Sequence, residues 1–360
     1  MKSLPQPTIS LSGKLDVGCL GGMLPWWGWR MRTQHARDIL FLDCQISAEP
    51  EMSPVKPMDW IAGQIRQLAQ DAGKMTYWSR DKRRKVIIRD VEIDADNQVL
   101  WLLLYSNDAD APDASFAHLQ TDVQREEPKA EGEGRPESAH LAISLEALPD
   151  KPGRHLCLLE EAKTLPRPRV EQYLNFLLRQ IRKDDTDAFR HPDRSGERDA
   201  AGNPKLVPYR NSIELMGHLS DDFQTDIEAG QLLGITLETG QRDQIGFGEG
   251  RRLIPTRKIV KLTPRGSWKD DAQGFVREAL NMGRRQGLET ARIVFTSADK
   301  TSHTSLLDTE TGNVMNEGYI KRVRLHTKEL FLPEASTQVH LVLRQRLLAL
   351  IQSHLRELRG

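Results

Sequence analysis

Cysteine is scarce in this chain. The three residues Cys19, Cys44 and Cys157 in 360 are too few and too scattered for a disulfide framework, and none has a partner at metal-ligand spacing. A disulfide-stapled scaffold is excluded, and a reducing cytoplasm is the expected compartment. No run approaches the roughly 18 consecutive apolar residues that a membrane-crossing helix needs. Serines, prolines and Asp16 interrupt the opening stretch "MKSLPQPTISLSGKLDVGCLGGMLPWWGW", so it lacks the apolar centre of a signal peptide. Net charge is missing too: 51 basic and 51 acidic side chains cancel, so no global field draws the chain to nucleic acid or to an anionic membrane. Any polyanion binding must be local. The P-loop pattern G-x-x-x-x-G-K-[ST], the G-x-S-x-G elbow, H-E-x-x-H and H-x-H are all absent, and neither zinc nor another resident cofactor is expected.

What is present is a long, polar, foldable chain. Its length exceeds what one typical core supports, and 38% hydrophobic with 28% charged residues lies inside the folded range. "DILFLDCQI" (38–46) reads as a buried strand, and "PMDWIAGQIRQLAQDAG" (57–73) as a helix with Trp60, Ile61, Ile65, Leu68 and Ala72 on one face. "KVIIRDVEI" and "QVLWLLLYS" flank the turn "DADN" as a hairpin. Residues 107–138 are rich in Asp, Glu, Pro and Gly and read as a polar linker or excursion. Two strands joined by "DKPG" then lead to a helix at 169–183, and a second helix is expected near 212–230. The last third repeats the order of the first: strand "RKIVKLT", helix "WKDDAQGFVREALNMGRRQG", strand "ARIVFTS", and a hairpin around "DTETGN" with "YIKRVRLH" as its second arm. A helix at 335–358 closes the chain. The expected fold is α/β (α+β), with mixed or antiparallel sheets and flanking amphipathic helices. It divides into an N-terminal strand-helix-hairpin module (1–106), the 107–138 segment, a central hairpin-helix region (139–250) and a C-terminal module (251–360).

Basic residues are segregated into local clusters. Arg80, Lys82, Arg83, Arg84 and Lys85 sit together, and Arg251 and Arg252 follow the glycine-rich "IGFGEG" with Gly246, Gly248 and Gly250. In "TRKIVKL", Arg257, Ile259 and Lys261 share one strand face. In "YIKRVRLH", Lys321 alternates with Arg322 and Arg324, which share a face with His326. Such alternation presents several cations to a phosphate backbone, or makes a solvated face balanced by neighbouring acids. The "PWWGW" tryptophans, Trp26, Trp27 and Trp29, fit a core plug or a base-stacking platform beside Arg30 and Arg32.

The stretch "HLCLLEEAKTLPRPRVEQYLNFLLRQIRK" (155–183) ends an apolar strand with Glu161, Ala162 and Lys163, one hairpin after Asp150. Locally it resembles the core of the PD-(D/E)xK nuclease superfamily, with Gln172 and Tyr173 on the following helix. The resemblance spans about 35 residues. It implies that Asp150 and Glu161 would hold Mg²⁺ and that Lys163 would sit by the attacking water, the metal and ammonium together favouring hydroxide. Solvated residues at a strand end are the other reading. In the helix itself, Val170, Tyr173, Leu174, Leu177, Leu178 and Ile181 form one apolar stripe, flanked by Arg167, Arg169, Arg179, Arg182 and Lys183. Cations near a helix C-terminus are favoured by the dipole with or without a phosphate ligand.

Three expectations follow. The first is a non-catalytic nucleic-acid-binding protein of a bacterial mobile element or phage-defence system. The second is a Mg²⁺-dependent nuclease using Asp150, Glu161 and Lys163. The third is an assembly component whose closing helix self-associates through Leu343, Leu347, Leu350, Ile351 and Leu358. No membrane partner is expected.

Overall fold

The computed structural model describes residues 35–50, 52–148, 153–193, 197–198, 202–239, 258–265, 271–296, 300, 302–315, 319–326 and 332–359. The expected α+β fold with antiparallel sheets is what it adopts. The largest sheet is organised around β1 (Ala36–Glu49), a strand of 14 residues. On one side β1 pairs with β8 (Arg154–Glu160), and beyond it lie β7 (Arg135–Ala147), β4 (Val99–Asp108), β3 (Arg84–Asp94) and the two-residue β2 (Tyr77–Trp78). On its other side two strands sit end to end: β11 (Arg210–Gly217) pairs with residues 42–49 of β1, and β16 (Arg322–His326) pairs with residues 36–40. Every pairing is antiparallel.

Both faces of this sheet are covered, which explains why β1, β4 and β8 are buried almost without interruption. The even positions Leu40, Leu42, Cys44 and Ile46 of β1 join the larger core with α1 (Met58–Leu68) and α3 (Arg167–Asp184). Ile39 and Phe41 point the other way, into a second core with Trp101, Leu156 and Leu158 beneath α6 (Leu341–Arg359). Leu343, Leu347 and Ile351, read as a self-association stripe, are spent on this intramolecular contact. At about 25 cal/mol per Å² of apolar surface, a fully buried leucine contributes roughly 1.5–3 kcal/mol, so the helix is held chiefly by this stripe. Cys44 and Cys157 are free thiols in the larger core, pushed above the ordinary thiol range by burial.

A smaller antiparallel sheet has the order β13 (Ile259–Leu262), β12 (Gln231–Glu238), β14 (Thr290–Thr296), β15 (Ser302–Asp308). Phe223 and Ile227 of α4 (Asp221–Ala229) and Val276 and Ala279 of α5 (Ala272–Gln286) share the larger core with this sheet's Ile235, Ile293 and Phe295. The α5 ends are those its sequence asks for. Asp271 accepts from the amide of Gly274 at 2.7 Å, and Gly287, left-handed at φ 63°, donates back to the last turn.

Several local expectations are revised. The helix at 57–73 ends at Leu68, and residues 72–75 form a separate turn of helix, α2 (Ala72–Met75), because the Asp71 side chain caps the amides of Gly73 and Lys74. Of the helix expected near 212–230, residues 212–217 belong instead to strand β11, and the helix that forms is α4. "YIKRVRLH" is not the second arm of a hairpin with β15; its strand β16 pairs with β1, from the opposite end of the chain. Inside 107–138 a short hairpin forms, β5 (Ala114–Ala117) with β6 (Gln124–Glu127). The 3₁₀ turn Asp187–Phe189 and the pair β9 (Arg190–Pro192) and β10 (Leu206–Pro208) complete the order.

Candidate nucleic-acid interface

The predicted cations are spread over the fold, and Arg83, Arg84, Arg322 and Arg324 are each ion-paired. Arg83 is ion-paired with Asp110, and Arg84 Nε lies 3.1 Å from the Asp108 carboxylate. On β16, Arg324 donates to Asp38, its register partner on β1, at 2.8 Å, and Arg322 lies 3.6 Å from Glu161. Lys321 and Lys85 sit over aromatic rings, at 5.3 Å from the centre of Phe41 and 5.6 Å from that of Trp78. Arg80 and Lys82 are exposed in the turn before β3, and Lys261 is exposed on β13 of the smaller sheet. Five strand spacings separate β16 from β3, roughly 24 Å at about 4.8 Å each, so Arg84 and Arg324 do not meet. Arg251, Arg252 and Arg257 lie outside the described residues, as do the three glycines before them and Trp26, Trp27 and Trp29.

The nuclease-like stretch is organised by hydrogen bonds of a different kind. The amide of Glu161 donates to the Asp38 carbonyl at 2.8 Å. Downstream, the amides of Lys163 and Thr164 and the Thr164 hydroxyl donate to the buried carboxylate of Glu137, at 3.1, 2.7 and 2.7 Å. Glu137 therefore satisfies the turn that carries Lys163 into α3. Asp150 lies outside the described residues, and among the described residues no group of three or more His, Cys, Asp or Glu side chains is placed to hold a metal ion.

The uncompensated positive charge that does converge lies on α3. This helix runs antiparallel to the edge strand β11 and takes the place of the next strand, using one side chain from each turn. Arg167 donates to the Leu215 carbonyl. Glu171 accepts the Leu215 amide at 2.9 Å, and Asn175 exchanges both bonds with Ile213, donating at 2.6 Å and accepting at 2.9 Å. Four helical residues advance about 6.0 Å and two strand residues about 6.8 Å, so Glu171 and Asn175, one turn apart, meet Leu215 and Ile213, two strand residues apart. The next member of the series is Arg179, opposite Asn211. Here the ladder stops and a cavity of about 170 Å³ opens, lined by Arg179, Arg182 and Arg210 with Glu49, Asn175 and Asn211 among its walls. Glu49 is already held by Arg210, its register partner, which donates to it through Nε at 2.8 Å and through Nη2. Arg179 and Arg182 have no ion pair or hydrogen bond with any described side chain, and two positive charges face the cavity unbalanced.

A second polar cluster lies under α6, on the sheet face that carries the smaller core. Asp43, 2% exposed, accepts from His218 Nε2 at 2.6 Å and from Asn313 at 2.6 Å, with Arg154 Nε at 2.8 Å. Burial alone would raise its carboxyl, but the hydrogen bond and charge of His218, the Arg154 guanidinium and Asn313 together hold it below the usual carboxylate range. His354 of α6 packs against His218, ring centres 5.0 Å apart, and burial and the charges of His218 and Lys321 push it down. This cluster ties β1, β8 and the segments after β11 and before β16 to the covering helix.

Neither Arg210 nor the ladder was singled out by local pattern. The signal available was the four-residue spacing of Arg167, Glu171, Asn175 and Arg179 along one flank of the apolar stripe. No family model, no curated protein and no solved structure matches this chain.

Proposed function

We propose that this protein binds nucleic acid without cleaving it, holding phosphate with Arg179, Arg182 and Arg210 and drawing additional contacts from the exposed Arg80 and Lys82. The presence of three arginines in the lining of one cavity with a single, already engaged carboxylate supports this reading. Guanidinium suits the task, since its planar fork of donors matches two phosphate oxygens at once and stays charged at any working pH. The compensated cations of β16 and of Arg83 and Arg84 serve as structural pairs in this scheme. A bacterial mobile-element or defence setting is part of the same proposal and rests on the character of the sequence alone.

The test is a fluorescence-anisotropy titration of the full chain with labelled single- and double-stranded oligonucleotides. With about three phosphates neutralised, the logarithm of affinity should fall with the logarithm of salt with a slope of about −2 to −3, roughly a 20- to 40-fold weakening from 50 to 200 mM. Arg179→Gln/Arg182→Gln should remove most of the binding while leaving the thermal transition in place. Absence of binding at 50 mM salt, or an unchanged double variant, overturns the proposal. Mg²⁺-dependent cleavage that disappears in Glu161→Ala would replace it with the nuclease reading.

A further inference from the structure

The geometry of the arginine cavity points to a more specific ligand, and we infer that it receives a terminal phosphate monoester of a nucleic acid strand. This rests on the polyanion reading and narrows it. A groove that tracks an internal backbone must be open at both ends, whereas this cavity is bounded toward the ladder by Asn175, whose side chain is bonded to both backbone groups of Ile213. Its volume of about 170 Å³ is below the roughly 300 Å³ at which pockets begin to enclose whole small molecules, so it takes one compact group and leaves the attached nucleoside outside.

With Glu49 engaged by Arg210, Arg179 and Arg182 leave two unbalanced positive charges. An internal phosphodiester carries one negative charge, while a phosphate monoester carries about −1.5 to −2 at neutral pH and offers three terminal oxygens. The cavity matches the second. Recognition would consist of charge-assisted hydrogen bonds from Arg179 and Arg182 to the terminal oxygens, with the Arg210–Glu49 pair holding the wall in place. Asn211 is fixed for the same purpose: its side chain accepts from the Lys56 amide at 3.2 Å and donates to the carbonyls of Ser47 and Pro54 at 3.2 and 3.1 Å. No bond is made or broken in this step, which is recognition alone.

The experiment compares, by anisotropy with the full chain, one oligonucleotide sequence carrying a 5′-phosphate, a 3′-phosphate or only hydroxyl ends, with inorganic phosphate titrated by calorimetry as a separate arm. One of the phosphorylated ends should bind about 10- to 100-fold more tightly than the hydroxyl strand, the range expected for one or two hydrogen bonds to charged groups. Arg179→Gln/Arg182→Gln should abolish that preference, and the lysine pair at the same positions, which keeps charge but loses the fork, should retain only part of it. Equal affinity for all three strands overturns end recognition while leaving general polyanion binding intact. A preference that survives in the glutamine double variant overturns the assignment to this cavity. Inorganic phosphate binding as tightly as the phosphorylated strand would make free phosphate the ligand and overturn the nucleic-acid part. No binding of any strand removes the underlying reading as well.

Discussion

The hydroxyl of Tyr173 on α3 accepts the amide of Ile88 at 2.8 Å, at the point where the β3–β4 register shifts between Ile88 and Asp90. A bulge of this kind breaks the ladder locally and leaves a backbone group to be satisfied by other means. The same hydroxyl donates to the Met75 carbonyl at 2.9 Å, so one fully buried side chain ties α2, β3 and α3 together. Tyr173→Phe keeps the ring but strands a buried amide and a buried carbonyl. It should destabilise the fold by about 1–3 kcal/mol, seen as a lower urea midpoint at unchanged slope. An unaltered midpoint would mean that water replaces the hydroxyl.

The packing role of Tyr173 was legible in the sequence, and its hydrogen bonds were not. All six positions of the α3 stripe are buried, since a 3.6-residue period needs no knowledge of the partner surface. The β3–β4 hairpin was legible for a similar local reason: Asp94 accepts from the Asn97 amide at 3.0 Å, as its turn composition implies. Pairing of β16 with β1 joins residues almost 300 positions apart, and nothing in the local period of "YIKRVRLH" names that neighbour. The arginine cavity was hidden for the same reason. Glu171, Asn175 and Arg179 look like a solvated flank until an edge strand is laid beside them, and Arg210 enters only through that strand.

Glu160 offers a second prediction. Its carboxylate, 1% exposed, lies 2.6 Å from Arg37 Nε and 2.6 Å from His140 Nδ1, and it accepts the His140 amide at 3.0 Å. His140 Nε2 in turn accepts the amide of His340 at 3.0 Å, and Arg37 donates to the carbonyls of Leu332 and Pro333 at 2.9 and 2.8 Å. The network thus fastens the segment that leads into α6. Glu160→Ala leaves a buried guanidinium without its counter-charge and should cost about 3–5 kcal/mol. Hydrogen exchange should quicken first in residues 332–359, and exchange that rises uniformly over the whole chain would argue against this local anchoring.

The histidines predict how stability depends on pH. Burial holds His155, His340 and His354 below the ordinary imidazole range, reinforced for His340 by the neighbouring His140 and for His354 by His218 and Lys321, with Glu357 of the same helix opposing. A histidine depressed in the native state takes up its proton in the unfolded chain first, at about pH 6.5, so the unfolded state binds more protons and stability falls as pH drops through that value. The loss is complete once pH lies below the native values. Asp43 acts in a different window. Its depressed carboxyl gives stability that is fully present above the unfolded value near 3.8 and is lost only as pH falls through the native one, so it adds no slope between pH 8 and pH 5. The melting temperature should therefore decline from pH 8 to pH 5, and His354→Gln, which cannot charge, should show a shallower decline than the parent chain. Parallel curves for the two proteins would show that His354 titrates alike in the folded and unfolded states, and the packing of α6 against His218 would then contribute nothing to the acid sensitivity of the fold.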